Sequence, residues 1–148
     1  MISEEREYPE QELTRRIIGA AMAVHNALGN GLDEKLHERA MCIELAELEL
    51  DFTQQQEFPV HYKSKFLGCL IPDLIVEGRV IVELKVAEDF AEAHIAQLIS
   101  YLRLTKITIG LLINFKHGTL RFKRFTIDNP LLNQSVESVE SVVKFFHS

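Results

Sequence analysis

The apolar positions along the chain switch between helical and strand spacing, and the switches predict its order of elements. Leu13, Ile17, Ala20, Ala21, Val24 and Leu28 recur three or four residues apart, which predicts a helix over residues 10–28 with one apolar face. Gly29-Asn30-Gly31 then stops it. Leu36, Ala40, Ile43 and Leu50, with Met41, Leu45 and Leu48 alongside, predict a second amphipathic helix over 33–50 whose other face is acidic. Strand signals follow at 56–62, 66–76 and 79–86, joined by Lys63-Ser64-Lys65 and by a turn containing Gly78, which reads as a three-stranded meander. Residues 91–104 return to helical spacing, with Ile95, Leu98, Ile99 and Leu102 facing inward. The continuous apolar stretch within 107–115 suits a central strand covered on both faces. His117-Gly118 makes a turn into a strand over 120–127, and 136–146 reads as a terminal helix. The expected order is ααβββαββα.

With 148 residues and 47% hydrophobic composition, the chain suits one compact domain over 1–148. The N-terminus is acidic where a signal peptide would be basic, and no apolar run approaches a membrane span, so a cytoplasmic protein without membrane contact is expected. Cys42 and Cys69 lack the spacing and flanking histidines of a zinc site, and their segments otherwise read as core, so both are expected to be reduced and buried. A net charge of −6 argues against a surface that is basic all over. The acids nevertheless cluster at 4–12 and 34–51, whereas 116–124 carries Lys116, His117, Arg121, Lys123 and Arg124.

The hairpin after the first apolar strand carries candidate chemistry. With Glu77-Gly78-Arg79 as a three-residue loop, Val76 faces Val80 and Asp73 lies across from Glu83, so both carboxylates share one face. Lys85 joins them because residues two apart on a strand point the same way, while Val82, Leu84 and Val86 face the opposite side. A two-residue loop would put Asp73 and Glu83 on opposite faces. Glu83 and Lys85 alone are also what the solvent side of an amphipathic strand looks like. Asp73 weighs against that reading, because it follows Pro72 within an apolar run where an unpaired carboxylate is costly. Paired acids beside a lysine can hold a hard divalent cation and steady charge on phosphate oxygens. One helix later, Gln97 and Tyr101 lie on one face with His94 on the same stripe, although such residues are also ordinary on an exposed helix.

Several motifs together resemble the GxxExxY family of the PD-(D/E)XK nuclease superfamily, over about residues 15–125. They are Gly31-Leu32-Asp33-Glu34-Lys35-Leu36-His37, with His37 where the family has tyrosine, the Pro59 to Tyr62 strand, Pro72-Asp73-Leu74-Ile75-Val76, Glu83-Leu84-Lys85, Gln97 with Tyr101, and Gly110-Leu111-Leu112-Ile113-Asn114-Phe115. The resemblance implies an α+β (α/β) fold with a restriction-endonuclease-like αβββαβ core, a mixed sheet flanked by helices. It implies a divalent metal held by Asp73, Glu83 and the Leu84 carbonyl, with Glu34 completing the site; as a first-turn acid Glu34 also suits the helix dipole. Mg²⁺ is the expected ion, with Mn²⁺ a workable substitute. In this scheme Asp73, Glu83, Lys85 and Gln97 are catalytic, Lys85 positioning or deprotonating the attacking water and Gln97 holding water or phosphate. The expected partner is nucleic acid, DNA before RNA, with Tyr101, Lys116, Arg121, Lys123 and Arg124 as candidate contacts and a homodimer as the form that cuts duplexes. A second reading stays open, a catalytically weak or inactive module that keeps the fold and binds nucleic acid or a protein through the basic 116–124 hairpin.

Overall fold

The computed structural model describes residues 9–127 in full and the backbone of Val136–Val142. Two helices open the chain, α1 (Gln11–Leu28) and α2 (Glu34–Glu47), followed by strands β1 (Phe52–Gln54), β2 (Phe58–Tyr62), β3 (Lys65–Leu70), β4 (Leu74–Val76) and β5 (Val80–Lys85). Helix α3 (Glu92–Thr105) then crosses to β6 (Ile109–Asn114), β7 (Arg121–Ile127) and β8 (Val136–Val142). Six strands form one mixed sheet in the order β1-β4-β5-β6-β7-β8, with β5 and β6 parallel and every other pair antiparallel. The fold is therefore α+β, with α1 and α2 on one face of the sheet and α3 on the other.

Alternation along the strands divides the core. Val80, Val82 and Leu84 of β5 join Leu111 and Ile113 of β6 beneath Ile17, Ala21, Met41 and Leu45 of α1 and α2. Ile81 and Leu112 face the other way, onto Leu98, Tyr101 and Leu102 of α3. All six residues of β6 are buried, as a strand covered on both faces requires. Helix α3 lies close to that strand because Gly110 has no side chain there; a Cβ would stand 2.9 Å from Leu98 Cδ1.

Four expectations need correction. Residues 66–76 are two strands, because Pro72 has no N–H for a ladder and the chain leaves the strand conformation around it. Among the described residues the three-stranded meander is consequently absent: there β2 and β3 pair only with each other, and β4 pairs with β5 and with the short edge strand β1. Residues 136–142 form a strand instead of a helix. Their valines at every third position mimic helical spacing, but β7 offers a full edge of unpaired amides and carbonyls, and β8 satisfies seven of its positions in register. The remainder of that expected helix, 143–146, lies outside the described residues. Cys69 is exposed and Cys42 half-buried, so neither is a core thiol, and both are unpaired.

Helix α2 is also shorter than its apolar pattern. Glu49 takes a left-handed conformation and donates to the Ala46 carbonyl while Leu50 donates to that of Leu45, so the chain turns back and buries Leu50.

Candidate active site

The turn between β4 and β5 sets the register on which the site depends. Glu77 and Gly78 both have positive φ, Arg79 donates to the Val76 carbonyl, and Val76 pairs with Val80, Ile75 with Ile81 and Leu74 with Val82. One step further, Asp73 stands opposite Glu83 on the α3 face of the sheet. The ladder gives way there to side chains. The Asp73 amide donates to Glu83 Oε2 at 2.6 Å, and the Leu84 amide donates to Asp73 Oδ2 at 2.8 Å. Each carboxylate thus takes a main-chain donor left over where Pro72 interrupts β4.

This interlocked pair has little water around it. Glu83 is 2% exposed. Burial pushes its carboxyl up to about 8, Asp73 adds to the rise, and the Asp73 amide and Lys85 act against it. The Asp73 carboxyl is also raised, first by burial, with Leu84 N–H opposing, Glu38 adding and Lys85 opposing again. Lys85, two residues beyond Glu83 on the same face and half-buried, therefore sits within electrostatic reach of both acids.

Two residues that the sequence did not single out complete the acidic cluster. Glu38, one turn after Glu34 on α2, is 4% exposed and accepts hydrogen bonds from Gln54 Nε2 at 2.6 Å and from Gln55 Nε2 at 3.0 Å. Gln55 also donates to Asp73 Oδ1 at 3.3 Å, linking α2 to the β4–β5 hairpin. The spacing Glu34-x-x-x-Glu38 was a usable signal, because residues four apart share a helix face; Gln55, within Gln54-Gln55-Gln56, had none. Glu34 itself, next to the N-cap Asp33, accepts the Val86 amide at 3.1 Å and so reaches the end of β5 from the other side of the sheet.

The remaining candidates separate. Tyr101 is buried on α3 beside the acids; its hydroxyl is raised by burial, by Glu83 and by Asp73, and it forms part of the floor of the site instead of an outer contact. Gln97 lies one turn earlier and is exposed. His94 Nδ1 accepts the Ala91 amide at the start of the helix. His37 is fully buried, stacks on Phe115 with ring centroids 4.3 Å apart, and places its nitrogens against the Asp33 and Gly29 carbonyls, so it ties α1 to α2. Of the basic hairpin, Lys123 pairs across the sheet with Leu112, the neighbour of Glu83, and Arg121 with Asn114, the neighbour of Lys85; these two share the face of the acids. Lys116 pairs with Glu88 at 3.9 Å near the surface. Arg124 points to the opposite face and is buried, donating to Thr126 Oγ1 and to the Pro9 carbonyl, so it offers nothing to an outside partner.

Among the described residues, no three His, Cys, Asp or Glu side chains are grouped so that together they could hold a metal ion. The donor set at the hairpin nevertheless fits a hard divalent cation. It consists of oxygens alone, it includes a carboxyl whose hold on its proton is raised by burial and by Asp73, and strand alternation turns the Leu84 carbonyl to the same edge as its amide, towards Asp73. Among the described residues no helix is long and apolar enough to cross a membrane. No curated protein and no solved structure is significantly similar to the chain. The family model of the PD-(D/E)XK nuclease superfamily matches residues 11–125, from the first turn of α1 into β7, a span that holds the whole acidic cluster and Lys85, and the chain belongs to that superfamily.

Proposed function

We propose that the chain is a metal-dependent nuclease of the GxxExxY type that hydrolyses phosphodiester bonds in DNA. The observation that carries this reading is the meeting of Asp73, Glu83 and Lys85 on one face across a hairpin whose register permits it. Nucleases of this superfamily generally use divalent metal ions. Here Asp73, Glu83 and the Leu84 carbonyl would hold the ion with Glu34 nearby, and hard oxygen donors favour Mg²⁺, with Mn²⁺ as a substitute. Bound there, the cation supplies the positive charge that polarises the scissile phosphate and steadies the leaving oxygen.

Lys85 contributes an ammonium on the attacking side, where it holds the water and offsets charge growing on the phosphate oxygens. Gln97, exposed on the helix above, orients that water or a phosphate oxygen. Tyr101, one turn further along the same helix, shields the acids. Arg121 and Lys123 continue the same face two strands away and attract the flanking phosphates, which reconciles a chain of net charge −6 with an anionic substrate. One site cuts one strand, so cleavage of a duplex calls for two copies of the chain. Two unpaired cysteines suit a reducing, cytoplasmic setting.

The test incubates the purified chain with supercoiled, linear and single-stranded DNA and with RNA, in Mg²⁺, Mn²⁺ or chelator, beside Glu83→Ala and Lys85→Ala. The reading expects cleavage that needs metal and falls at least about a hundredfold in either variant. Cleavage that survives both substitutions overturns it. Metal binding to the wild type without cleavage of any substrate supports the inactive nuclease-fold module.

A further inference from the structure

The β2–β3 hairpin has a composition that its place in the fold does not explain. It forms a sheet of its own, anchored at its base where Phe58 and Leu70 pack against the α3-side core. Beyond that base everything from His61 to Leu67 is exposed. Tyr62, Phe66 and Leu67 are each more than 60% exposed, at 62%, 63% and 64%. A register shift between Val60 and His61 leaves Leu67 without a partner and brings His61 opposite Phe66, whose rings meet edge to face at 5.7 Å. On the other side of the ribbon the Lys63 ammonium lies 5.5 Å from the Tyr62 ring centre.

Charge and chemistry narrow what such an arm would hold. Residues 58–72 include Lys63 and Lys65 and no Asp or Glu, in a chain whose net charge is −6. The same residues include no Arg, Asn or Gln, the side chains that read base edges in a duplex groove. What they offer is open aromatic faces flanked by cations, the combination that stacks unpaired bases and neutralises the phosphates between them. Only Ile71 and Pro72 separate the end of β3 from Asp73, so the base of the arm adjoins the acidic pair in the chain.

We propose that the β2–β3 hairpin is a gripping arm for single-stranded nucleic acid, in which Tyr62 and Phe66 stack on unpaired bases and Lys63 and Lys65 take the phosphates; the proposal rests on the nuclease reading above. It makes unpaired segments, such as flaps, gaps and frayed ends, the preferred substrate class of the adjacent site.

The test uses the full chain in EDTA, so that nothing is cut, with fluorescein-labelled oligo(dT) and a duplex of equal length. The chain contains no tryptophan, so Tyr62→Trp introduces a single indole that stacking quenches. Oligo(dT) is expected to quench it and to bind more tightly than the duplex. Tyr62→Ala with Phe66→Ala is expected to weaken oligo(dT) binding about tenfold or more, and Lys63→Ala with Lys65→Ala to lower the slope of log K against log salt by about 1.4. All four positions are exposed, and circular dichroism checks that the variants keep the fold. Oligo(dT) binding unchanged in both double variants overturns the arm and leaves the nuclease reading standing, as does a preference for duplex. Self-association, or binding to phosphatidylserine vesicles, that these substitutions abolish while oligo(dT) binding persists also overturns it. Failure of the wild type to bind or cut any nucleic acid, with or without metal, overturns the nuclease reading itself.

Discussion

Gln55 stands between Glu38 and Asp73, donating from one nitrogen to Glu38 Oε1 at 3.0 Å and to Asp73 Oδ1 at 3.3 Å, while its backbone amide donates to the Asp73 carbonyl. It is the neutral link that lets the buried Glu38 and the half-buried Asp73 approach. Gln55→Leu keeps the approximate volume and removes the donor, leaving both acids facing each other. The expected outcome is a loss of about 1–3 kcal/mol of stability in metal-free protein, measured by urea unfolding, and a smaller loss in saturating Mn²⁺. An unchanged midpoint would show that water replaces the amide without cost.

The raised Glu83 carboxyl gives stability a definite dependence on pH. Its ordinary value is 4.5 and its value in the folded chain about 8, so between these the folded state holds a proton that the unfolded state has lost. Stability of the metal-free protein is therefore highest below about pH 4.5 as far as this group is concerned, and falls as pH rises towards 8, by on the order of 3 to 5 kcal/mol. Asp73 is raised as well and acts with the same sign. Glu83→Gln is neutral throughout and should flatten most of the decline. Denaturation at pH 5.5, 7 and 8.5 in chelator checks this, and a stability that rises over that range in the wild type contradicts it.

On the proposed reading, metal binding and this proton compete for the same oxygens. At pH 7 a carboxyl near 8 is mostly protonated, so uptake of Mg²⁺ or Mn²⁺ at Glu83 should release most of a proton, and much less well above pH 8. Calorimetric titration in two buffers of different ionisation enthalpy measures the number. Release that is absent at pH 7 would place the metal elsewhere.

His37 should matter through packing. His37→Ala removes a fully buried ring from Phe115 and from two carbonyls, with an expected loss of about 2–4 kcal/mol. Because the same helix carries Glu34 and Glu38, Mn²⁺ affinity should weaken along with stability. His37→Phe keeps the stack and removes the imidazole contacts to the Asp33 and Gly29 carbonyls, so its loss should fall between that of alanine and zero. Equal losses for the two variants would assign the whole effect to the hydrogen bonds.

Local signals were legible wherever one residue's environment depended on near neighbours. The spacing of Leu13, Ile17, Val24 and their companions marked α1, the unbroken apolar run marked β6, and the turn at Gly78 set the register that brings Asp73 opposite Glu83. Pro72 was visible too, but its consequence was not: the break it imposes splits one expected strand in two and frees the amide that Glu83 accepts. Gln55 carried no signal, since nothing near it in the chain differs from an exposed amide, and Glu38 carried only its helical spacing from Glu34; the approach of α2 and the end of β1 to the hairpin gives both their role. The valines of 136–142 misled for the same reason, since three-residue spacing fits a helix and only the open edge of β7 decides for a strand.

By itself the sequence determined the period-two alternation that puts Glu83 and Lys85 on one face, and made the place of Asp73 depend on the length of the turn, which the pairing of Val76 with Val80 decided. Only the tertiary structure decided how dry that face is. The depth of Glu83 under α3, the proton that burial favours there, and the approach of Glu38 on α2 to Asp73 and Glu83 all depend on contacts between residues distant in the chain, where burial replaces water by low-dielectric protein and charge is less screened.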